Sequence, residues 1–141
     1  MAALQSDVSA YLEESARWPW IWGERDCALW VANFVRQQTG KDPGATWRGS
    51  YKTRLGCERV LKRGGGLVEV MALGAASVGL APLLPEDAFP GCAGIILAPI
   101  LRRNGLRMEN TGALRTKSGW AAFSAHGIVV RQTKAVAAWR V

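Results

Sequence analysis

Gly23-Glu24-Arg25-Asp26-Cys27-Ala28-Leu29-Trp30-Val31-Ala32-Asn33-Phe34-Val35-Arg36-Gln37-Gln38-Thr39-Gly40 is the stretch around which the rest of the chain organises itself. Asp26 is a residue type that caps helix N-termini, its carboxylate accepting from backbone N–H groups that lack partners. Behind it, Cys27, Trp30, Val31, Phe34 and Val35 recur at the i, i+3, i+4, i+7, i+8 spacing of one apolar helix face. Asn33, Arg36 and Gln37 fall off that stripe, and Gly40 ends it with the residue type that most readily takes a left-handed turn. The stretch predicts a helix that buries one face and begins at a cysteine. A thiol there sits at the positive end of the helix dipole, where a thiolate is favoured. Asp26 opposes this by placing a negative charge beside it.

Outward from this helix, the N-terminal side reads as a helix capped by Ser6 and running to about Arg17, with Val8, Tyr11 and Leu12 on its apolar face. Trp18-Pro19-Trp20-Ile21-Trp22-Gly23 then makes a shaped loop. On the C-terminal side come a turn at Lys41-Asp42-Pro43-Gly44, a short helix over 53–63 ended by Gly64-Gly65-Gly66, and a further helix over 67–76. The stretch 78–90 holds three prolines and reads as a surface loop. From there the pattern turns to strands. Residues 92–99 are nearly all apolar, as in a strand buried on both faces. Asn104-Gly105 is a hairpin signal. Strands follow over 107–114, 119–123, 127–131 and 135–141, and their short connections favour an antiparallel meander. Helices first and strands later predict one α+β domain over residues 1–141, its N-terminal helices packed on a C-terminal antiparallel sheet.

Bulk composition narrows the function classes. The chain of 141 residues is 49% hydrophobic and 21% charged, which is globular rather than disordered composition. No apolar run is long enough for a membrane span, and the N-terminus lacks the basic and apolar blocks of a signal peptide. A net charge of +7 raises the question of nucleic acid, but the basic residues are scattered, with Lys62-Arg63 and Arg102-Arg103 the tightest groups. A solvated basic surface fits that scatter better than a nucleic-acid groove. Cys27, Cys57 and Cys92 are few, odd in number and widely spaced, so neither a zinc site nor a disulfide framework is expected, and no cofactor is implied.

One pair carries potential chemistry. Cys27 is placed as a nucleophile, and His126, the single histidine, opens the strand beginning at Gly127. A base projecting from a sheet toward a helix start would complete a cysteine-nucleophile arrangement. The same residues equally suit a packed thiol and a surface imidazole. Trp20, Trp22 and Trp30 read as core around the helix rather than a ligand cage. Arg48 and Tyr51 either brace the loop around Cys27 or pair on the surface, and Arg140 has Asp26 or Asp42 as candidate partners.

The segment Trp20-Ile21-Trp22-Gly23-Glu24-Arg25-Asp26-Cys27 resembles the nucleophile motif of the NlpC-type, papain-like cysteine peptidases. It is closer to a group of small phage proteins found among tail genes. There, Asp-Cys is followed by an aromatic-rich helix, Thr-Gly-x-Asp-Pro, Arg-Gly-x-Tyr, a Gly-Gly turn and a terminal Ala-Trp-Arg-Val. This chain has Thr39-Gly40-Lys41-Asp42-Pro43, Arg48-Gly49-Ser50-Tyr51, Gly64-Gly65-Gly66 and Ala138-Trp139-Arg140-Val141 in that order. The resemblance implies a papain-like fold, Cys27 in the nucleophile position and His126 as the only available base. Two departures weigh against catalysis. Where the peptidases carry Gly-Asp before the first core strand, this chain has Gly91-Cys92. Where their histidine follows on the next strand, residues 107–112 offer Glu109 and Asn110 and no histidine.

The resemblance therefore implies a phage tail structural or assembly protein, at the tail tip or baseplate hub, on a degenerate peptidase fold. Its partners would be other tail or baseplate proteins, and its place the virion, after assembly in the host cytoplasm. The alternative is an active cysteine peptidase that cuts peptidoglycan cross-links with Cys27 and His126.

Overall fold

The computed structural model describes residues 2–141, with side chains from Asp7 onward. Among the described residues, four helices precede the whole of a six-stranded antiparallel sheet, so the α+β class holds. Helix α1 (Ala2–Ser15) begins a turn earlier than a cap at Ser6 would place it and ends two residues before Arg17. Helix α2 (Cys27–Thr39) has its expected bounds. The Asp26 side chain accepts from the Leu29 N–H, and Gly40 closes the helix at φ 76°. Helices α3 (Arg54–Arg63) and α4 (Leu67–Ser77) follow, α3 capped by Thr53.

The α1–α2 pair is locked by a buried polar chain as well as by apolar packing. Tyr11 Oη donates to the Trp30 carbonyl at 2.5 Å, Ser15 Oγ to the Tyr11 carbonyl at 2.6 Å, and Trp30 Nε1 to Ser15 Oγ at 2.9 Å. Each polar atom finds a partner inside, so burying it costs little. Val8, Tyr11, Trp30, Val31 and Phe34 then pack on Ala93, Leu114, Ala121 and Phe123 of the sheet. That contact makes the helix stripe read from sequence the main helix–sheet seam.

The expected loop over 78–90 contains a short strand, β1 (Ala81–Leu83), and one turn of 3-10 helix at Pro85–Asp87. The remaining strands are β2 (Ala93–Arg102), β3 (Gly105–Thr116), β4 (Gly119–Ser124), β5 (Gly127–Arg131) and β6 (Ala135–Arg140). The meander holds from β2 to β5 and then fails. Strand β6 returns to the other side of β2, giving the order β1-β6-β2-β3-β4-β5.

Chain geometry explains how a short connection permits this. Between Arg131 and Ala135 the chain can span about 14 Å at most. In a flat sheet β5 and β6, four strand spacings apart, would be about 19 Å from each other. The sheet must therefore curl. Its concave face encloses Trp120, which packs with Ile96, Ala113, Ala122 and Ala138 from four strands. Gly94 makes room for that indole, since a Cβ there would come within 2.6 Å of it. On the helix side, α4 covers Ile95 and Trp139 with Leu67 and Ala75.

Candidate functional site

Cys27 sits on the first turn of α2, and three separate sequence motifs converge to hold that turn. The Asp26 carboxylate is buried, 2% exposed. It accepts from the Gly23 N–H at 3.1 Å, the Leu29 N–H at 3.1 Å and Tyr51 Oη at 2.5 Å. Gly49 N–H donates to the Gly23 carbonyl at 2.8 Å. Gly23 itself has φ 82°, and a Cβ there would stand 2.1 Å from the Tyr51 carbonyl oxygen. Only glycine fits both constraints.

The third motif anchors this clasp from outside. Arg48 grips Asp42 through two hydrogen bonds, Nε to Oδ2 at 2.9 Å and Nη2 to Oδ1 at 3.0 Å. The Gly44 N–H also donates to Asp42 at 2.9 Å. Partial burial alone would raise the Asp42 carboxyl, but the Arg48 bonds and charge outweigh it and hold it below its ordinary value. Pro43 then rests on α4, where a Cβ at Gly74 would meet its carbonyl at 2.5 Å. Of the alternatives open in the sequence, Tyr51 braces the Cys27 loop and Arg48 pairs with Asp42. No ion pair of Arg140 with Asp26 or Asp42 is found among the described residues.

The thiol is poorly placed to ionise. Cys27 is half-buried, and desolvation of its thiol raises its pKa. The adjacent Asp26 charge raises it further. Thr111 and the Gly112 and Ala28 backbone offer hydrogen bonds that would favour the thiolate, and they offset only part of this. The helix-start position, which alone would lower the pKa, loses to burial and to its own capping acid.

Strand β3 approaches this turn closely. A Cβ at Gly112 would stand 2.8 Å from the Cys27 carbonyl oxygen and 3.2 Å from the Ala28 Cα. Thr111, 5% exposed, is thus the polar side chain that the sheet presents to the thiol. It was not singled out from the sequence. The glycine beside it inside a strand was the available signal, since such a glycine often marks close backbone approach.

His126 lies in the turn between β4 and β5 and is exposed, its backbone N–H donating to Ser124 Oγ at 3.2 Å. It lines the same open groove as Cys27, a space of about 810 Å³ bordered also by Leu61, Thr111 and Trp22. The groups set against the Cys27 thiol include Asp26, Thr111, and the Gly112 and Ala28 backbone. Cys57 of α3 lines the groove too, and burial beside Asp26 pushes its thiol up to about 12. Tyr51 Oη lies against both Asp26 and Cys57. Cys92, in the position matched to the missing acid, is fully buried ahead of β2.

The tryptophans around the loop are packing elements. Trp20 stacks on Phe123 at 5.8 Å, Trp30 stacks on the same ring at 5.9 Å, and Trp22 meets Trp20 edge-on at 5.0 Å. Arg25 lies over Trp18 at 4.8 Å. No group of three or more metal-ligating side chains is found among the described residues. No helix among them is long and apolar enough to cross a membrane.

Over its whole length, residues 1–141, the sequence matches a family described as a domain of unknown function, DUF6950. The chain belongs to that family. No curated protein and no solved structure matches it. In this member of DUF6950, the clasp of Gly23, Asp26, Asp42, Arg48 and Tyr51 is built to fix the start of α2 in place. It positions a cysteine whose thiol is pushed up by burial and, beside that, by the Asp26 charge.

Proposed function

We propose that this chain is a bacteriophage tail structural or assembly protein, at the tail tip or baseplate hub, on a degenerate NlpC-type papain-like fold. The observation that carries the proposal is the surroundings of Cys27. The cysteine stands at a helix start facing a sheet strand, as that fold family would have it. Its neighbours are a carboxylate and a threonine, and both burial and charge disfavour the thiolate. A nucleophile needs the opposite. The ordered motifs, on this account, are kept because they form the clasp, and the clasp preserves a rigid surface for neighbouring tail or baseplate proteins in the virion.

The test is a phage carrying Cys27→Ala in this gene. Particles should assemble in the host cytoplasm and infect with unchanged titre. A loss of infectivity with intact particle assembly would reject the structural role.

One observation favours a second reading. His126 shares the groove with Cys27. A shift of the β4–β5 turn that brought the imidazole to the thiol would give a peptidase acting on peptidoglycan cross-links. That enzyme would release amino groups from purified peptidoglycan, and both Cys27→Ala and His126→Ala would abolish the release.

A further inference from the structure

Helix α3 turns toward solvent a face that the rest of the fold does not use. Its inward side is apolar. Cys57 and Val60 pack against Leu29, Ala32 and Tyr51, and Leu61 packs against Leu67, Ala75, Ile95 and Trp139. No α3 residue is buried, so the helix rests on the domain rather than within it. On the opposite side Leu55, Arg59, Lys62 and Arg63 recur at the i, i+4, i+7, i+8 spacing of one helix face. All four are exposed, Leu55 at 55%.

The charge on this face is uncompensated. The one acid of α3, Glu58, is engaged by Arg54 and Arg102. Arg59, Lys62 and Arg63 have no ion-pair partner among the described residues, and together they border a shallow recess. The helix dipole accounts for cations at Lys62 and Arg63, which lie in the last turn. It does not account for Arg59, nor for an exposed leucine one turn before it. None of these four residues borders the Cys27 groove.

We propose that this face docks an acidic surface of a partner protein, with carboxylates on Arg59, Lys62 and Arg63 and an apolar side chain on Leu55. An apolar anchor beside charges that set the register is the make-up of a protein–protein contact. Two features turn the choice away from nucleic acid. Acids flank the stripe, Glu58 on one side and Glu69 at its end, where a Cβ on Gly65 would meet the Glu69 Cγ at 3.2 Å. From Leu55 to Arg63 the stripe spans only about 12 Å, room for few phosphates, whereas duplex binders neutralise many. The docking face is independent of any chemistry at Cys27 and goes beyond the tail-protein reading.

Fluorescence anisotropy with the full chain decides it, the probe being a labelled Glu-rich peptide that carries two leucines. The peptide should bind, and its affinity should fall by at least about tenfold between ~0.05 M and ~0.5 M salt as screening shortens. Arg59→Glu with Lys62→Glu should abolish binding with an unchanged circular dichroism spectrum. If that variant does not fold, Arg59→Gln with Lys62→Gln serves instead and should weaken binding by roughly tenfold. Leu55→Ala should weaken it by about threefold. Arg103→Glu with Arg107→Glu removes the same charge from the β2–β3 hairpin and should leave binding intact. Equal loss in that control would reduce the effect to net charge and overturn the proposal. So would an affinity indifferent to the α3 variants, or no binding at low salt. A duplex DNA probe held more tightly through the same residues, or a dimer of this chain that the α3 variants dissolve, would overturn it as well.

Discussion

Tyr51→Phe removes one oxygen and tests whether the clasp stabilises the fold. The lost hydrogen bond is to a carboxylate that is 2% exposed, so water cannot replace the donor. Asp26 would keep the Gly23 and Leu29 amides, both at 3.1 Å, and so remain partly satisfied. Bonds to buried charged groups contribute about 1.5–3 kcal/mol, and loss near the middle of that range is expected. At roughly 3 °C per kcal/mol for a chain of this size, the melting temperature should fall by about 6 °C. Tyr11→Phe is the matched control. Its hydroxyl is also buried but donates to a neutral carbonyl, that of Trp30. Its loss should cost about 1 kcal/mol. Urea unfolding with unchanged m-values measures both. If Tyr51→Phe costs no more than Tyr11→Phe, the clasp is not the stabilising unit described above.

Further consequences follow from the same contacts. Gly23→Ala places a Cβ against the Tyr51 carbonyl at a positive φ and should destabilise by about 3 kcal/mol or more, seen as loss of the cooperative thermal transition. Arg48→Ala should cost about 1–2 kcal/mol at neutral pH. Because Asp42 titrates below its ordinary value when folded, its contribution is complete above about pH 4 and is lost as pH falls through the depressed value. The wild-type and Arg48→Ala unfolding energies should therefore converge in acid. On the alkaline side, burial raises all three thiols, so the stability they contribute is full below about pH 8.5 and declines as pH rises toward their folded values. Cys27→Ala should flatten that decline, and an unchanged slope would argue against a desolvated Cys27.

Local signals carried much of the fold. Helix α2 was legible from end to end because its cap, stripe and stop agree, and α3 and α4 were bounded by Thr53 and the triple glycine. Ser6 misled because a good capping residue also tolerates a helix interior. The position of β6 was out of reach, since it depends on the curl of the sheet around Trp120 rather than on any residue within β6. The site was half legible. Asp26 and Cys27 could be placed by helix rules, whereas the partners of Arg48 and Tyr51 depend on long-range packing. Thr111 was hidden because one polar residue in a strand carries no pattern, and only Gly112 beside it marked the approach of α2.

The reactivity of Cys27 with iodoacetamide, followed by peptide mass spectrometry across pH, tests the central claim most directly. A thiol held protonated by burial and by Asp26 should react more slowly than a free model thiol at neutral pH, with its rate still rising above the ordinary thiol range near pH 8.5. Substituting His126→Ala should leave that profile unchanged. Fast alkylation near neutral pH, abolished by His126→Ala, would contradict the account and establish Cys27 as an activated nucleophile.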